Sequence, residues 1–266
     1  MNNTFSPQLN IAINAALLAG KSIMRFYSRL NYLKVRDKGF NDYVSEADQE
    51  AEKIITETLS KAYPKYKVTA EESGSNNVQS EYEWFIDPLD GTTNFIHGIP
   101  HFAVSIGLCK ENKPILGVIY DPFKNELFSA EKGKGAQLNN KKIRVSSCNT
   151  IKTAIFGSGI PYRKQDTSGI YIETLRILMD EKCGSIRRFG AAALDLSYVA
   201  CGRLDGFWEF NLKPWDIVAG ASIVSEAGGH ISDISNKDEY LKNGNVLAAN
   251  IDLHNEIINK LSKKLI

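Results

Sequence analysis

A chain of 266 residues, 43% of them hydrophobic, has enough apolar material for one large domain or two modest ones around a real core. Its 32 Lys and Arg against 31 Asp and Glu leave a formal net charge of +1, so no global field draws it to nucleic acid or to an anionic membrane. The most apolar early run, residues 11–20, is broken by Asn14 and followed by Lys21, and no basic leader precedes it. It is too short to span a bilayer, and a cytoplasmic location is expected. Cys109, Cys148, Cys183 and Cys201 lie far apart with no CxxC pair, which argues for reduced, mostly buried thiols rather than a zinc or redox centre.

In chain order, Ser6-Pro7 supplies a helix cap and first turn, and Leu9, Ile13, Leu17, Gly20 and Met24 recur at helical spacing to about residue 29. A second helix is predicted from about Ala47, with Ser45-Glu46-Ala47-Asp48 as its capping box, and it stops at Tyr63-Pro64. Residues 66–69, 102–108, 115–120 and 126–130 are short β-rich runs separated by turn residues, the pattern of antiparallel strands. Past residue 150 the rhythm alternates. Strands are predicted at 151–157, 185–189, 204–210 and 246–249, and helices at 168–180, 191–201, 215–227 and 253–261. No linker lies between the two patterns, so the change near residue 145 is expected to mark the seam of a single body with packed halves 1–145 and 146–266.

Candidate chemistry gathers in three acidic clusters: Glu71-Glu72, Asp87 with Asp90, and Asp216 at the start of a helix. The middle one lies in residues 84–95, WFIDPLDGTTNF, where an apolar run ends in two carboxylates around a proline and then turns through Gly91 into Thr92 and Thr93. Hard cations such as Mg²⁺ take oxygen ligands, and Pro88 fixes the backbone so that the carbonyl between the carboxylates can serve as another. The free amides of a helical turn starting at Gly91 would seat a phosphate. Taken alone, Asp90-Gly91-Thr92-Thr93 reads as a cap or Asx-turn. His97 and His101 are four apart, but no acidic residue between them makes an HExxH site and Pro100 breaks the helix, so zinc is not expected. Arg187 and Arg188, adjacent on a strand, point to opposite faces, and one of them is a candidate contact to substrate or a partner subunit.

The ordered set of segments resembles the inositol monophosphatase family of Mg²⁺-dependent, lithium-sensitive phosphatases. WFIDPLDGTTNF is similar to its first signature, and Trp215-Asp216-Ile217-Val218-Ala219-Gly220 with Glu226-Ala227-Gly228-Gly229 to its second. Residues 42–48, 71–74, 100–107, 120–122, 133–136 and 190–196 resemble further family blocks, so the likeness spans nearly the whole chain. Leu89, residues 102–105 and residues 213–216 are most similar to the bacterial inositol-1-monophosphatase branch.

With the alternating pattern, the resemblance implies an α/β fold: an αβαβα sandwich of the sugar-phosphatase type, with an antiparallel sheet in the first half and a mixed sheet in the second. It implies two or three Mg²⁺ ions, Glu71, Asp87 and the Leu89 carbonyl holding the first and Asp87, Asp90 and Asp216 the second. Gly91 and Thr92 would offer amides to the phosphate. The Thr92 hydroxyl, with Glu71, would orient the attacking water, and Asp48 would serve both as cap and in catalysis. Glu209 would accept a substrate hydroxyl, Gly190, Ala191 and Ala192 would line the polyol, and Lys38 beside Gly39 would approach the metals. The expected substrate is a small phosphate monoester, most simply myo-inositol 1-phosphate. Fructose 1,6-bisphosphate, NADP and 3′-phosphoadenosine nucleotides remain alternatives on the same core. A homodimer is implied, with no membrane and no direct nucleic-acid contact, and a regulatory partner in the transcription machinery is a second, non-enzymatic reading.

Overall fold

The computed structural model describes residues 5–32, 34–39, 42–161 and 167–265; the side chains of 36–39, 42–44 and 263–265 also lie outside the described set. Helix α1 (Pro7–Tyr27) starts where the Ser6 hydroxyl accepts from the Leu9 amide at 3.2 Å. Its inward face is built of Leu9, Ala12, Ala15, Ala16, Ala19 and Ile23, mostly small residues that let the helix lie close to its support. Helix α2 (Glu46–Ala62) is capped as its sequence predicts: Asp48 Oδ2 accepts from the Ser45 amide at 2.8 Å, and the Ser45 hydroxyl accepts from Ala47 N at 3.2 Å. The two helices cover one face of the first sheet.

That sheet has eight strands: β3 (Lys67–Ala70), β4 (Gly74–Ser75), β5 (Tyr82–Asp90), β6 (Ala103–Lys110), β7 (Lys113–Asp121), β8 (Glu126–Glu131), β9 (Gly135–Leu138) and β10 (Lys141–Lys142). Their order is β10-β9-β8-β7-β6-β5-β3-β4. All neighbours are antiparallel except β3 and β5, whose parallel pairing brings the end of β3 beside the end of β5. A separate ribbon, β1 (Val35–Gly39) with β2 (Asp42–Ser45), leads into α2. Lys38 and Gly39 fall in β1, and the Lys38 side chain lies outside the described residues.

The second sheet holds β11 (Ile155–Ser158), β12 (Ser185–Arg187), β13 (Gly206–Glu209), β14 (His230–Ser232) and β15 (Val246–Ala249) in the order β12-β11-β13-β15-β14. It is mixed: β11 runs parallel to β12 and β13, while β15 is antiparallel to β13 and β14. Helices α4 (Ser168–Asp180) and α8 (Ile251–Leu265) pack on its outer face. Between the sheets lie α5 (Ala192–Ala200) and α6 (Pro214–Glu226), giving five layers in the order helix, sheet, helix, sheet, helix. Helix α6 approaches the first sheet at Gly107 and Gly117, which face each other across β6 and β7. A methyl on Gly117 would overlap the Ala219 carbonyl, and one on Gly107 would overlap Val218. Glycine is required at both because the helix itself occupies the space.

Two local expectations change. Residues 151–153 form a 3₁₀ turn rather than the start of a strand, because Ile151 N donates to Glu256 Oε2 at 2.8 Å and the chain is drawn onto α8 before β11 begins. Of the four free thiols only Cys109 is fully buried; the other three are half-buried.

His254 of α8 is wholly buried, its Nε2 2.8 Å from the Ser232 hydroxyl and its Nδ1 without a partner among the described residues. Burial, then the neighbouring His230, lowers its pKa from 6.5 to about 4. Between those values the unfolded imidazole takes up a proton that the folded one refuses, so stability falls as the pH drops through this window and is unaffected above it. The loss approaches about 3 kcal/mol at the bottom of the window. His254→Asn is therefore expected to be less stable than the parent at pH 7, with the gap narrowing by pH 4 in urea titrations. A gap independent of pH would contradict this.

Candidate active site

Residues three apart on a regular strand face opposite sides of its sheet, so Asp87 and Asp90 should be separated. They are not, because β5 carries one extra residue between them: Asp87 pairs with Ser105 and Asp90 with Ala103 on β6. Pro88, which has no amide to give the ladder, sits in this bulge. Asp87 is buried and its Oδ1 accepts from the Leu89 amide at 2.9 Å, which fixes the direction of the bulge. Gly91 follows with φ of +89°, and a methyl there would lie 2.9 Å from the His101 carbonyl, so conformation and space both demand glycine. The short helix α3 (Thr92–Ile96) starts from it.

Other segments converge on this turn. The parallel pairing of β3 and β5 delivers Glu71, whose amide donates to the Ile86 carbonyl at 3.0 Å. The buried Glu52 of α2 clamps the loop beyond it, accepting from Glu72 N at 2.8 Å and Ser73 N at 2.9 Å. Asp216 stands in the first turn of α6 and accepts from Lys213 N at 2.7 Å. Ser105, opposite Asp87, donates to the Trp215 carbonyl at 3.1 Å and ties that helix start to β6. Thr92 Oγ1 lies 3.1 Å from Asp48 Oδ1 and 3.0 Å from the Leu89 carbonyl. Asp48 is held on its other oxygen by the Ser45 amide at 2.8 Å and hydroxyl at 2.5 Å.

Electrostatics registers the same convergence. The Asp87 carboxyl is held well above the usual carboxylate range by burial first, then by Glu71, Asp90 and Asp216. Asp90 is pushed up to about 7 by burial and the Glu71 charge, against the opposing pull of the Ala193, Ala192 and Gly91 amides. Burial likewise raises Asp48, against its bonds from Ser45 and Thr92. Among the described residues no three carboxyl, imidazole or thiol groups close on one point as a ready-made metal cage. Glu71, Asp90 and Asp216 are instead like-charged neighbours of the buried Asp87. Their chemistry fits a hard divalent cation: oxygen donors only, more negative charge than a buried site tolerates, and the Leu89 carbonyl close by.

From the second half, Ala193 N donates to Asp90 Oδ2 at 2.7 Å, which joins the start of α5 to the acidic cluster. Gly190 takes φ of +86° in the turn that precedes it. Asn94 Nδ2 donates to the His101 carbonyl at 2.8 Å and the Phe189 carbonyl at 2.9 Å, pinning that turn and so Ala191 and Ala192 against α3. Glu209, at the end of β13, lies against Gly159 and is the strongest charged neighbour of Asp195, with Asp90 next. His101 packs tilted against Phe189 and edge-on to Tyr198, and burial and then Lys124 lower its pKa to about 4.

Four supporting residues escaped the sequence reading: Glu52, Asn94, Ser105 and Asp195. Ser105 and Asp195 had a usable signal, since each is a polar residue within a largely apolar element. Glu52 and Asn94 carried none, because a carboxylate on an amphipathic helix and an amide after a turn are commonplace.

No helix among the described residues is long and apolar enough to cross a membrane. The sequence model described as "Inositol monophosphatase family" matches residues 5–265. A "Putative Nus factor SuhB" of Neisseria meningitidis serogroup B is 46% identical over 246 residues, covering 92% of this chain and 94% of that protein. An "Inositol-1-monophosphatase" of Mesorhizobium japonicum is 44% identical over 261 residues, 98% of each chain. The crystal structure of the extragenic suppressor protein suhB of Bartonella henselae superposes with a TM-score of 0.93 at 45% identity, covering 97% of this chain and 100% of that one. With an end-to-end family match, relatives of this identity and a shared five-layer fold, the chain belongs to the inositol monophosphatase family.

Proposed function

We propose that the protein is a Mg²⁺-dependent phosphate monoester hydrolase whose substrate is myo-inositol 1-phosphate. The observation that supports it most is the gathering of Glu71, Asp87, Asp90 and Asp216, from separate segments, beside the Gly91–Thr92 turn. Two or three divalent cations held by these carboxylates and the Leu89 carbonyl would neutralise the phosphate and make water more acidic. The Gly91 and Thr92 amides take the phosphate oxygens. Water attacks phosphorus in line, the ester P–O bond breaks, and no covalent phosphoenzyme forms.

The chain's own groups then handle the protons. Thr92 Oγ1 accepts from the attacking water while its own proton passes across the 3.1 Å contact to Asp48 Oδ1. Ser45 keeps Asp48 aimed at Thr92. Glu71 shares in orienting the water, and Asp216 helps return a proton to the departing alkoxide. Glu209 accepts a polyol hydroxyl, and Gly190, Ala191 and Ala192 form the wall beside it. Lithium inhibition and a homodimer belong to the same reading.

A protein partner in the transcription machinery is a second reading, favoured by the name Nus factor given to relatives at 44–46% identity. In that case a binding partner would be captured equally by the parent and by Asp87→Asn.

Phosphate release from myo-inositol 1-phosphate, fructose 1,6-bisphosphate, NADP and 3′-phosphoadenosine 5′-phosphate ranks the substrates. The expected result is preference for the first, abolished by EDTA and restored by Mg²⁺; hydrolysis indifferent to EDTA would contradict the reading. Asp87→Asn is expected to lower kcat about a thousandfold. Parent-like turnover in that variant would remove Asp87 from the site. Thr92→Val, which keeps shape but loses the hydroxyl, is expected to lower kcat about a hundredfold with little change in KM. An effect confined to KM would reassign Thr92 to binding alone.

A further inference from the structure

The side chain of Asn94, in the short helix α3, is 6% exposed and reaches across the seam between the two halves of the chain. Its amide nitrogen donates to the His101 carbonyl at 2.8 Å in the first half and to the Phe189 carbonyl at 2.9 Å in the second, with the Gly190 carbonyl at 3.5 Å. Carbonyl oxygens on every side fix the orientation of this amide, because only its N–H groups can face them. The helix that carries it is firmly seated. The Asn94 carbonyl accepts from Ile99 N at 2.8 Å, and Phe95 of the same helix meets Phe102 edge to face at 5.1 Å, both rings wholly buried.

Asn94 reaches the segment expected to line the polyol. Gly190 turns at φ of +86°, and the Ala191 methyl lies 3.3 Å from where a methyl on Gly91 would stand, so this segment and the phosphate-side turn are packed together. Ala193 N donates to Asp90 Oδ2 at 2.7 Å. Residues 190–192 are thus held at both ends, by Asn94 before them and by Asp90 after them. Only the first tie is made by a residue outside the acidic cluster. A polyol phosphate is gripped at two points, its phosphate and its hydroxyls, and the spacing of the two seats decides which esters fill both.

We propose that Asn94 is a positioning residue for substrate specificity: it sets the Gly190–Ala192 wall at a fixed distance from the Gly91–Thr92 turn, so that a polyol monophosphate meets both at once. This rests on the phosphatase reading above and extends it to a residue placed in neither the metal site nor the polyol wall. Leucine keeps the size of asparagine and loses both donors; alanine loses them with less bulk.

The experiment compares kcat/KM for myo-inositol 1-phosphate with kcat/KM for p-nitrophenyl phosphate, which has no polyol hydroxyls, in Mg²⁺-loaded protein. Their ratio does not depend on the fraction of enzyme that is folded, so a loss of stability alone leaves it unchanged. Asn94→Leu is expected to lower the ratio about tenfold, chiefly by raising KM for the inositol ester. Amide hydrogen exchange across residues 189–193 is expected to be faster in the same variant. A parent-like ratio, whatever the absolute rates, or unchanged exchange at 189–193 would overturn the proposal. If the leucine variant does not fold, Asn94→Ala is held to the same two readouts. Parent protein that hydrolyses neither ester refutes the phosphatase reading, whereas an active parent whose ratio survives the substitution refutes only the role of Asn94.

Discussion

Four carboxylates that repel one another are the constraint around which this structure is arranged. Glu71, Asp87, Asp90 and Asp216 arrive from the end of β3, from both sides of a bulge in β5, and from the first turn of α6. Brought together around the buried Asp87, the other three oppose its ionisation, and Glu71 opposes that of Asp90 as well. A fold that holds such a cluster must anchor each segment by hydrogen bonds, mostly from donors that offset the repulsion. The anchors are the Leu89 amide on Asp87, the Ala193 amide on Asp90, the Lys213 amide on Asp216 and the Glu52 clamp beyond Glu71. The repulsion that remains is what a divalent cation would relieve, so the energetic cost of assembling the cluster becomes affinity when an ion binds.

The layering follows from the same need. Helix α6 carries Asp216 in its first turn and also fills the gap that Gly107 and Gly117 leave on the first sheet. Its position is therefore set by close backbone approach rather than by adaptable side chains alone, and Ser105 locks the entry turn from the strand opposite Asp87. Helix α5 does the equivalent for Asp90 through the Ala193 amide, and it follows directly on the Gly190 turn. The strand-borne part of the acidic cluster and the candidate specificity wall are thus braced by the two helices that the sheets sandwich, where little can shift.

Much of this was legible in the sequence. The helix at 168–180 and the strand at 246–249 fall where periodicity puts them, and the capping box at Ser45 and Asp48 forms as its spacing predicts. The mixed second sheet and the layer order follow from the family resemblance together with the alternating pattern. What sequence reasoning could not reach was short or long-range. Strand β14 has three residues, too few for a period, and the β3–β5 pairing is parallel although a runs-and-turns reading suggests only antiparallel neighbours. The bulge that turns Asp87 and Asp90 to one side was signalled by Pro88, but its register is set by β6. Residues such as Glu52 and Asn94 act through partners 20 and 95 positions away, a relation no local pattern encodes.

The claim on which all of this turns is that the four carboxylates share divalent ions. Diffraction from crystals soaked in Mn²⁺, recorded at the manganese edge, locates those ions directly. The account predicts anomalous peaks between Glu71, Asp87, Asp90 and Asp216, with Asp87 touching more than one of them. Peaks confined to other surfaces, with no metal at these four side chains, would contradict it.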